Sequence, residues 1–301
     1  MNIGLGNTLV LGASGQLGSA FKSAWGTPVH VRYCGRDEVD VLDYDALEAT
    51  LTACAPAVVV NCSGYTAVDK AESEPDAAHA LNAEAPERIA RLCKQVGATL
   101  VHFSTDYVFG GPHPGRAYRE TDTPAPTSVY GHTKLEGERR VLATGCSCWI
   151  LRVSWLYSQF GKNFLLTMER LAQEHGRLRV VNDQVASPTW AGDVVWAVTQ
   201  LLQNGGTPAG LVHFTNRGVA SWYDFATEIV RQRGWEVPVD PVPTTTFSTP
   251  AQRPVFSKLD TTTFFHTVWR QPNHWKSALT NCNARRFGTP RPTEPRNTTG
   301  S

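Results

Sequence analysis

The sequence of 301 residues lacks a long hydrophobic run. No stretch reaches the roughly eighteen uninterrupted apolar residues that a membrane-spanning helix needs. The first residues, MNIGLGNTLVLGASGQLG, carry neither a basic segment nor a signal cleavage site, so a secretory signal is not predicted. We therefore expect a soluble, cytoplasmic protein without a membrane partner.

An excess of charge of either sign is also missing. The chain has 28 Lys and Arg residues against 27 Asp and Glu residues, which leaves a net charge of +1. Nucleic-acid-binding domains usually carry a strongly basic patch. Nucleic acid is therefore not an expected partner, and we expect a monomer or a homodimer that acts on a small molecule.

The seven cysteines form no recognisable metal or disulfide pattern. Their number is odd, they are scattered through apolar runs, and the sequence contains neither a CxxC pair nor a histidine cluster. Structural zinc sites need such closely spaced ligands. We predict free thiols and no metal site.

Short apolar runs alternate with amphipathic segments through the first half of the chain. NTLVL, VHVRYC, AVVVN, TLVHFST and CWILRV resemble strands, and helical patterns lie between them. Continuously apolar strands must be covered on both faces, which is typical of parallel sheets with crossover helices. The predicted fold class is therefore α/β, with a doubly wound parallel sheet.

The pattern loosens after residue 155. Three more helices are predicted, within GKNFLLTMERLAQEHG, AGDVVWAVTQLLQNG and SWYDFATEIVRQRGW. The segment 238–254 is rich in Pro and Thr and is expected to be irregular. The end of the chain, RRFGTPRPTEPRNTTGS, has no apolar periodicity and is expected to be disordered.

Three glycines directly follow the first predicted strand. Gly12, Gly15 and Gly18 form a GxxGxxG pattern between a strand and a helix. Such glycines let backbone N–H groups approach a pyrophosphate at the positive end of the helix. A turn that merely packs strand on helix is the alternative, but the strand–helix alternation that follows favours dinucleotide binding.

The end of the second predicted strand indicates which dinucleotide binds. Arg36 stands where an arginine would pair with the 2′-phosphate of NADP, and it could otherwise be an ordinary surface residue. The next residue, Asp37, could instead accept hydrogen bonds from the ribose of NAD. NADPH is therefore the predicted cofactor, and NADH remains possible.

Tyr130 and Lys134 lie one helical turn apart within SVYGHTKLEGERRVL. Such a pair can simply coat a helix surface. It can also do chemistry, because reduction of a ketone leaves an alkoxide that needs a proton donor, and an ammonium beside a tyrosine lowers the phenol pKa. Ser104 and Thr105, at the end of a predicted strand, could supply a hydroxyl that holds the carbonyl oxygen.

Several blocks of the sequence together resemble one known family. GASGQLG, NCSGYTAVDKAESEP, LNAEAPERIA, STDYVFGG, VYGHTKLEGE, RVSWLY, NDQVASPTWAGDV and TPAQRPVFSKLD occur in the order typical of the dTDP-4-dehydrorhamnose reductases, which are extended short-chain dehydrogenases/reductases. The resemblance implies NAD(P)H-dependent reduction of the 4-keto group of a dTDP-4-keto-6-deoxyhexose. It also implies a Rossmann domain, at 1–155 and about 190–218, and a smaller C-terminal α/β substrate-binding domain, at about 156–189 and 219–285, followed by a disordered tail at 286–301.

The resemblance also implies roles for individual residues. Thr105, Tyr130 and Lys134 would be catalytic. The cofactor would contact Gly12, Ser14, Gly15, Gln16, Leu17, Arg36, Asp40, Val41, Cys62, Ser63, Gly64 and Thr66, besides Tyr130 and Lys134. The substrate pocket would use Ser104, Tyr107, Trp155, Asn163, Arg253 and Phe256. Trp155 could instead be plain core, and Asn163 could simply start a helix.

Two departures from the family pattern affect what is expected. Phe256 stands in RPVFSKL where the family often has a polar residue, which favours a product other than rhamnose, such as the ring-contracted dihydrostreptose. Ala20 stands where some members have a glutamate for magnesium, so no structural metal is expected. The alternative to an enzyme is a non-catalytic NADP-binding protein that resembles the regulatory subunit of methionine adenosyltransferase.

Overall fold

The computed structural model describes residues 6–111, 115–208 and 210–288. Its strands are β1 (Thr8–Leu11), β2 (Val31–Cys34), β3 (Val58–Asn61), β4 (Thr99–Thr105), β5 (Cys148–Val153), β6 (Leu156–Tyr157), β7 (Leu178–Val181), β8 (Val185–Ala186), β9 (Thr189–Trp190), β10 (Gly210–His213), β11 (Ala220–Ser221) and β12 (Val239–Val242). Its α-helices are α1 (Gln16–Trp25), α2 (Tyr44–Cys54), α3 (Val68–Ala71), α4 (Pro75–His79), α5 (Ala85–Val96), α6 (Val129–Ala143), α7 (Phe164–His175), α8 (Ala191–Asn204), α9 (Trp222–Arg233), α10 (Thr262–Val268) and α11 (Trp275–Phe287). A π-helical turn, Ala80–Glu84, joins α4 to α5, and short 3-10 turns occur at Asp106–Val108 and Thr244–Thr246.

Six strands form one parallel sheet in the order β10-β5-β4-β3-β1-β2. The strand order reverses at β1, which pairs with β2 on one side and β3 on the other. The loops that follow β1 and β3 therefore leave in opposite directions and open a crevice at the carboxyl ends of the strands. The predicted α/β class with a parallel Rossmann-like sheet is confirmed.

Helices cover both faces of this sheet. Along β1, Val10 packs with Phe21 of α1 and with α8 on one face, whereas Leu9 and Leu11 pack with Leu47 of α2 and with α5 on the other. The alternation follows from the two-residue period of a strand. The packed side chains thus form one hydrophobic cluster on each face of the sheet. Full burial of a side chain as large as Phe21 contributes about 2–3 kcal/mol to the free energy of unfolding, so the two clusters hold in place the loops that form the crevice.

The C-terminal half adds three small sheets, each of two strands: β7 with β12, β8 with β11, and β6 with β9. The expectation that 238–254 is irregular is wrong in part, because β12 pairs in parallel with β7. Pro241 is tolerated there since β12 has a partner on one side only. Leu165, Phe225 and Leu279 lie in the hydrophobic cluster that joins α7, α9 and α11.

The end of α11 lies beyond the predicted boundary of the disordered tail. The helix continues to Phe287, and the guanidinium of Arg286 donates to both carboxylate oxygens of Glu169 at 2.8 and 2.6 Å. This ion pair holds the last helical turn against α7, so the tail cannot begin at 286. The remainder of the predicted tail, 289–301, lies outside the described residues.

No helix within the described ranges is long and apolar enough to cross a membrane. Over the same residues, no three His, Cys, Asp or Glu side chains are grouped so that they could hold a metal ion.

Candidate active site

A cavity of about 830 Å³ opens at the carboxyl ends of the central strands, between the parallel sheet and the C-terminal small sheets. Most of the predicted site residues line it: Gly15, Gln16, Leu17, Cys62, Ser63, Gly64, Thr66, Ser104, Thr105, Tyr107, Tyr130, Lys134, Trp155, Asn163 and Arg253. Six do not: Gly12, Ser14, Arg36, Asp40, Val41 and Phe256. The cavity volume suits a ligand of drug size or larger.

Local structure aims Tyr130 into this cavity. Ser128 caps α6 by accepting a hydrogen bond from the backbone of Gly131, so the helix starts just before the tyrosine. A Cβ on Gly131 would lie 2.4 Å from the carbonyl oxygen of Tyr107, which explains the glycine after Tyr130. The rings of Tyr107 and Tyr130 meet edge to face with their centroids 5.6 Å apart.

Burial dominates the electrostatics of the tyrosine and the lysine. It raises the pKa of Tyr130 to about 12, against a smaller lowering by a hydrogen bond with Thr105. It lowers the pKa of Lys134 to about 8, opposed by Glu138. The Lys134 ammonium donates to the carbonyl of Phe103 at 2.6 Å. The expectation that Lys134 lowers the pKa of Tyr130 is therefore wrong for this arrangement, and the phenol is protonated at neutral pH.

A buried carboxyl group adjoins the hydroxyl of Thr105, which is predicted to be catalytic, and the sequence interpretation missed it. Asp106 follows Thr105 and accepts hydrogen bonds from the hydroxyls of Thr105, at 3.2 Å, and Ser257. Burial raises the pKa of Asp106 to about 7, although these hydrogen bonds act the other way. Its position beside the predicted catalytic threonine was a visible signal within STDYVF.

The glycine loop fits the pyrophosphate of a dinucleotide. Gly12 has a φ of +69°, and a Cβ there would lie 2.7 Å from the backbone nitrogen of Ser63. A Cβ on Gly18 would lie 2.4 Å from the carbonyl oxygen of Gly12. Gly15 precedes α1, and no side chain caps this helix, so its first N–H groups are available to an anion. Gly12 thus shapes the loop without lining the cavity.

The residues predicted to select the cofactor lie at the end of β2. The side chain of Arg36 is 79% exposed, and its guanidinium pairs with the carboxylate of Asp40 at 3.1 Å. The Ser14 hydroxyl lies 3.2 Å from where a Cβ on Gly35 would be, so the glycine loop and the end of β2 adjoin. Val41 is buried in the core cluster beneath α2, so its predicted contact with the adenine is not supported.

Asn82 fastens the cavity wall to α6, and the sequence interpretation missed its role. This buried residue of the π-helical turn accepts from the backbone N–H of Tyr65 at 2.9 Å and donates to the carbonyl of Tyr65 at 3.1 Å. Its amide also donates to the hydroxyl of Thr133 at 3.2 Å. The loop with Gly64 and the helix with Lys134 are thereby held together.

Aromatic rings form the wall of the cavity on the C-terminal side. Trp155 has a φ of +46° and stacks on Trp222 with centroids 3.5 Å apart and planes 6° from parallel. A non-glycine residue in this backbone region is strained, which is common at binding sites. The ring of Phe164 packs on that of Trp222, with the ring centroids 4.5 Å apart. Trp155 is therefore more than plain core, since it faces the cavity.

Three predicted substrate residues use their polar groups within the protein. Asn163 caps α7 by accepting from the backbone of Leu166, as the helix-start interpretation predicts, although it also lines the cavity. The hydroxyl of Ser104 donates to Glu138, because it faces away from Thr105 along β4. Arg253 donates to both carboxylate oxygens of Asp69 at 3.0 and 2.7 Å.

Phe256 does not line the cavity, which corrects its predicted contact with the sugar. Residues 255–257 pair with Val185, so alternate side chains of this segment face opposite ways. The hydroxyl of Ser257 reaches Asp106, whereas the ring of Phe256 packs toward Tyr118 with centroids 6.3 Å apart.

Other lining residues come from beyond residue 155 and were not predicted. They include Lys162, Phe164, Arg179, Gln184, Trp222, Thr244 and Phe247. Gln184 links two of them, because its carbonyl accepts from the Trp222 indole at 3.1 Å and its amide donates to the Thr244 hydroxyl at 3.0 Å. Apart from Gln184, which lies in the block NDQVASPTWAGDV, these residues belong to none of the quoted blocks, and only the fold brings them together.

Comparison with known proteins gives consistent matches over most of the chain. The family model described as the RmlD substrate binding domain matches residues 6–286. A dTDP-4-dehydrorhamnose reductase of Streptomyces griseus is 40% identical over 286 residues, covering 90% of this chain and 91% of the relative. The Escherichia coli K12 protein of the same name is 38% identical, covering 86% of this chain and 90% of its own length.

Solved structures agree with the sequence matches. The crystal structure of a dTDP-4-dehydrorhamnose reductase from Bacillus anthracis in complex with NADP has a TM-score of 0.88 and 32% identity, and the match covers 92% of this chain and 98% of that chain. A Clostridium acetobutylicum structure described as such a reductase has a TM-score of 0.87 and 37% identity, with 93% and 99% coverage.

Proposed function

The chain belongs to the dTDP-4-dehydrorhamnose reductase family, and from this premise we propose that it reduces the 4-keto group of dTDP-4-dehydrorhamnose with NADPH. The observation that carries the proposal is one cavity that holds Thr105, Tyr130 and Lys134 beside a glycine loop that fits a dinucleotide. The product would be dTDP-L-rhamnose.

Tyr130 is the proton donor in this proposal. Its raised pKa keeps the phenol protonated at neutral pH, and a protonated phenol can transfer its proton to the oxygen of a reduced carbonyl. Thr105 shares a hydrogen bond with Tyr130 and can steady the same carbonyl oxygen. Lys134, charged below a pH of about 8, would stabilise negative charge that develops nearby in the water-poor cavity.

NADPH, when bound, supplies the hydride. Gly12, Ser14, Gly15, Gln16 and Leu17 would surround its pyrophosphate at the start of α1. The exposed guanidinium of Arg36 would hold the 2′-phosphate, since an anion there can compete with Asp40 for it. Cys62, Ser63, Gly64 and Thr66, which line the cavity beyond β3, would contact the part of the cofactor nearer the reaction.

The substrate would occupy the side of the cavity formed by the C-terminal half. Trp155 and Trp222 offer flat apolar surfaces to a base or a sugar ring. Arg253 is already oriented by Asp69 and could meet a diphosphate. Since Phe256 lies outside the cavity, it no longer favours a product such as dihydrostreptose, and dTDP-4-dehydrorhamnose is the substrate that the family supports.

A non-catalytic NADP-binding role, like that of the methionine adenosyltransferase regulatory subunit, is less well supported. The relatives at 40% and 38% identity are named as reductases, and the hydroxyl, tyrosine and lysine all line one cavity here.

The decisive experiment measures NADPH consumption with dTDP-4-dehydrorhamnose and identifies the product. Other dTDP-4-keto-6-deoxyhexoses and NADH serve as comparisons. Turnover to dTDP-rhamnose supports the proposal. Tight NADPH binding with no turnover of any 4-keto sugar would favour the non-catalytic role instead.

Three expectations accompany this function as proposals. We propose the two-part division of the chain into a Rossmann domain and a substrate-binding domain at the predicted boundaries, except that the substrate-binding part continues through α11 to Phe287. We also propose a cytoplasmic location and a monomer or homodimer. Limited proteolysis, cell fractionation and light scattering would test these in turn.

A further inference from the structure

Thr105 donates its only hydroxyl proton within the protein, to the carboxyl group of Asp106. The hydroxyl donates to Oδ1 of Asp106 at 3.2 Å, and the hydroxyl oxygen accepts from the backbone N–H of Tyr107 at 3.1 Å. A hydroxyl has one proton and two lone pairs. In this arrangement Thr105 has no proton left for a carbonyl oxygen in the cavity, although it needs one to hold a substrate there.

Ser257 holds the same carboxyl group from its other side. The Ser257 hydroxyl donates to Oδ2 of Asp106, and both residues are almost fully buried, at 2% and 3% exposure. The backbone of Ser257 is fixed in turn, because its N–H donates to the carbonyl of Val185 at 3.0 Å. The carboxyl group therefore cannot turn away from Thr105 without losing a buried hydrogen bond.

The surroundings of Asp106 favour a protonated carboxyl group. The phenols of Tyr107 and Tyr130 face it, and both are neutral at pH 7 because burial raises their pKa. The cations of the neighbouring elements are engaged elsewhere: Lys134 donates to Phe103, Lys258 to Ser187 and Arg253 to Asp69. Burial is the largest influence on Asp106 and raises its pKa to about 7, against the hydrogen bonds from Ser257 and Thr105.

A proton on Oδ1 of Asp106 reverses the hydrogen bond with Thr105. The carboxyl O–H then donates to the second lone pair of the Thr105 oxygen, while the N–H of Tyr107 and the hydroxyl of Ser257 keep their acceptors. The Thr105 proton is thereby released toward the cavity, which this residue lines. An ionised carboxylate can only accept, so it cannot release that proton.

We propose that Asp106 is a positioning residue: held by Ser257, its carboxyl group must carry a proton so that the Thr105 hydroxyl can donate to the carbonyl oxygen of the substrate. The inference rests on the proposed reduction of a 4-keto group. Asp106 transfers no proton to the substrate, since Tyr130 is the proton donor. Thr105 contributes a hydrogen bond to the oxygen that gains negative charge, and loss of such a bond costs about 10²–10³-fold in rate.

Single-turnover reduction of dTDP-4-dehydrorhamnose by enzyme with bound NADPH, measured between pH 6 and 8, tests this role. The wild-type rate should fall by about 20-fold, of which about tenfold comes from Asp106, with its pKa of about 7, and about twofold from Lys134, with its pKa of about 8. Asp106→Asn should show only the twofold part, because an amide N–H can donate to Thr105 at every pH. Asp45→Asn, which removes an exposed carboxylate of α2, is the matched control and should keep the wild-type profile.

Two further variants distinguish a role through Thr105 from a merely structural one. The hydrogen bond from Ser257 lowers the pKa of Asp106, so Ser257→Ala should move the fall in rate to higher pH, by about one pH unit. Thr105→Val should be slow at every pH and should lack the tenfold part of the fall. The full wild-type fall in Asp106→Asn, or the tenfold part retained in Thr105→Val, would overturn the proposal.

Infrared spectroscopy of protein labelled with ¹³C-aspartate measures the protonation of Asp106 without turnover. A protonated carboxyl band should be present at pH 6, disappear as the pH rises through about 7, and titrate at higher pH in Ser257→Ala, which assigns the band even if Asp106→Asn does not fold. The absence of such a band at pH 6 would overturn the inference even in an inactive protein. A band that titrates as expected, in a protein that turns over no 4-keto sugar, would instead refute the proposed function.

Discussion

The carbonyl oxygen of Asn82 lies only 2.0 Å from the position that a Cβ on Gly137 would occupy. The backbone of α6 therefore rests directly on the π-helical turn, with no side chain between them. Since α6 also carries Tyr130 and Lys134, and since Asn82 holds the loop at Gly64, this contact sets the distance between the two walls of the proposed active site.

Gly137→Ala should push α6 away from the turn. The methyl group cannot fit at this distance, so we expect a loss of about 1–3 kcal/mol in the free energy of unfolding and a lower kcat. Chemical denaturation and NADPH consumption measure the two effects. Arg139→Ala, at an exposed position two residues along the same helix, is the control and should change neither. Unchanged stability in the Gly137 variant would mean that the backbones are not in contact.

Tyr130→Phe should remove the proton donor and little else. General acid catalysis contributes about 10²–10⁴-fold, so kcat should fall by that factor. NADPH affinity, measured by fluorescence titration, should stay near the wild-type value because the ring still packs on Tyr107. A variant with full turnover would show that another group supplies the proton.

The sequence predicts the sheet and the helix that carries Tyr130 and Lys134 well, because both depend on local patterns. Apolar runs and glycine spacing specify β1 and the loop after it, and Tyr130 and Lys134 need only one helical turn to meet. The surroundings of these side chains cannot be predicted from local patterns. Burial, not Lys134, determines the pKa of Tyr130, and burial depends on the whole fold.

The C-terminal side of the cavity was predicted less well, because its contacts also depend on the whole fold. Gln184 and Trp222 hydrogen-bond across 38 residues of sequence, and no short motif records that contact. Phe256 was misplaced because its direction depends on the pairing of its segment with Val185. In a strand, a shift of one residue reverses the face on which a side chain lies.

Arg36→Ala should weaken NADPH much more than NADH. Only NADPH has the 2′-phosphate, and a charge-assisted hydrogen bond contributes about 1.5–3 kcal/mol, so the Kd for NADPH should rise by about 10–100-fold. Arg32→Ala, on β2 just before Arg36 and with its guanidinium at Cys54, is the matched control and should bind both cofactors normally. An equal loss for both cofactors in the Arg36 variant would make Arg36 a residue of the scaffold.

Asp106 should make the stability of the protein depend on pH. Its folded-state pKa of about 7 lies above its ordinary value of 3.8, so the folded state holds a proton that the unfolded state has lost between these pH values. The contribution of Asp106 to the free energy of unfolding is complete below about pH 4. It falls as the pH rises toward 7, by at most on the order of 4 kcal/mol. Asp106→Asn should flatten this slope in urea unfolding measured at several pH values. Identical slopes in both proteins would mean that Asp106 is ionised throughout.

Arg253 and Phe256 lie three residues apart and should behave differently when changed. Arg253 lines the cavity and is held by Asp69 in a bidentate ion pair, so its guanidinium is already oriented for an anionic group of the substrate. Arg253→Ala should therefore raise KM for every dTDP-4-keto sugar together, by about 10-fold or more, while the NADPH affinity is unchanged.

Phe256→Asn should instead act on stability. The ring packs beside Tyr118 in the cluster that includes Leu259, and an amide there loses apolar burial worth about 1–3 kcal/mol. The ratio of kcat/KM between 4-keto sugars should stay as in the wild type, because the side chain does not reach the cavity. Steady-state kinetics with two such sugars, together with urea unfolding, separate the two effects. A changed sugar preference at wild-type stability would contradict this. It would mean that the segment 255–257 rotates when substrate binds, so that the ring of Phe256 contacts the sugar.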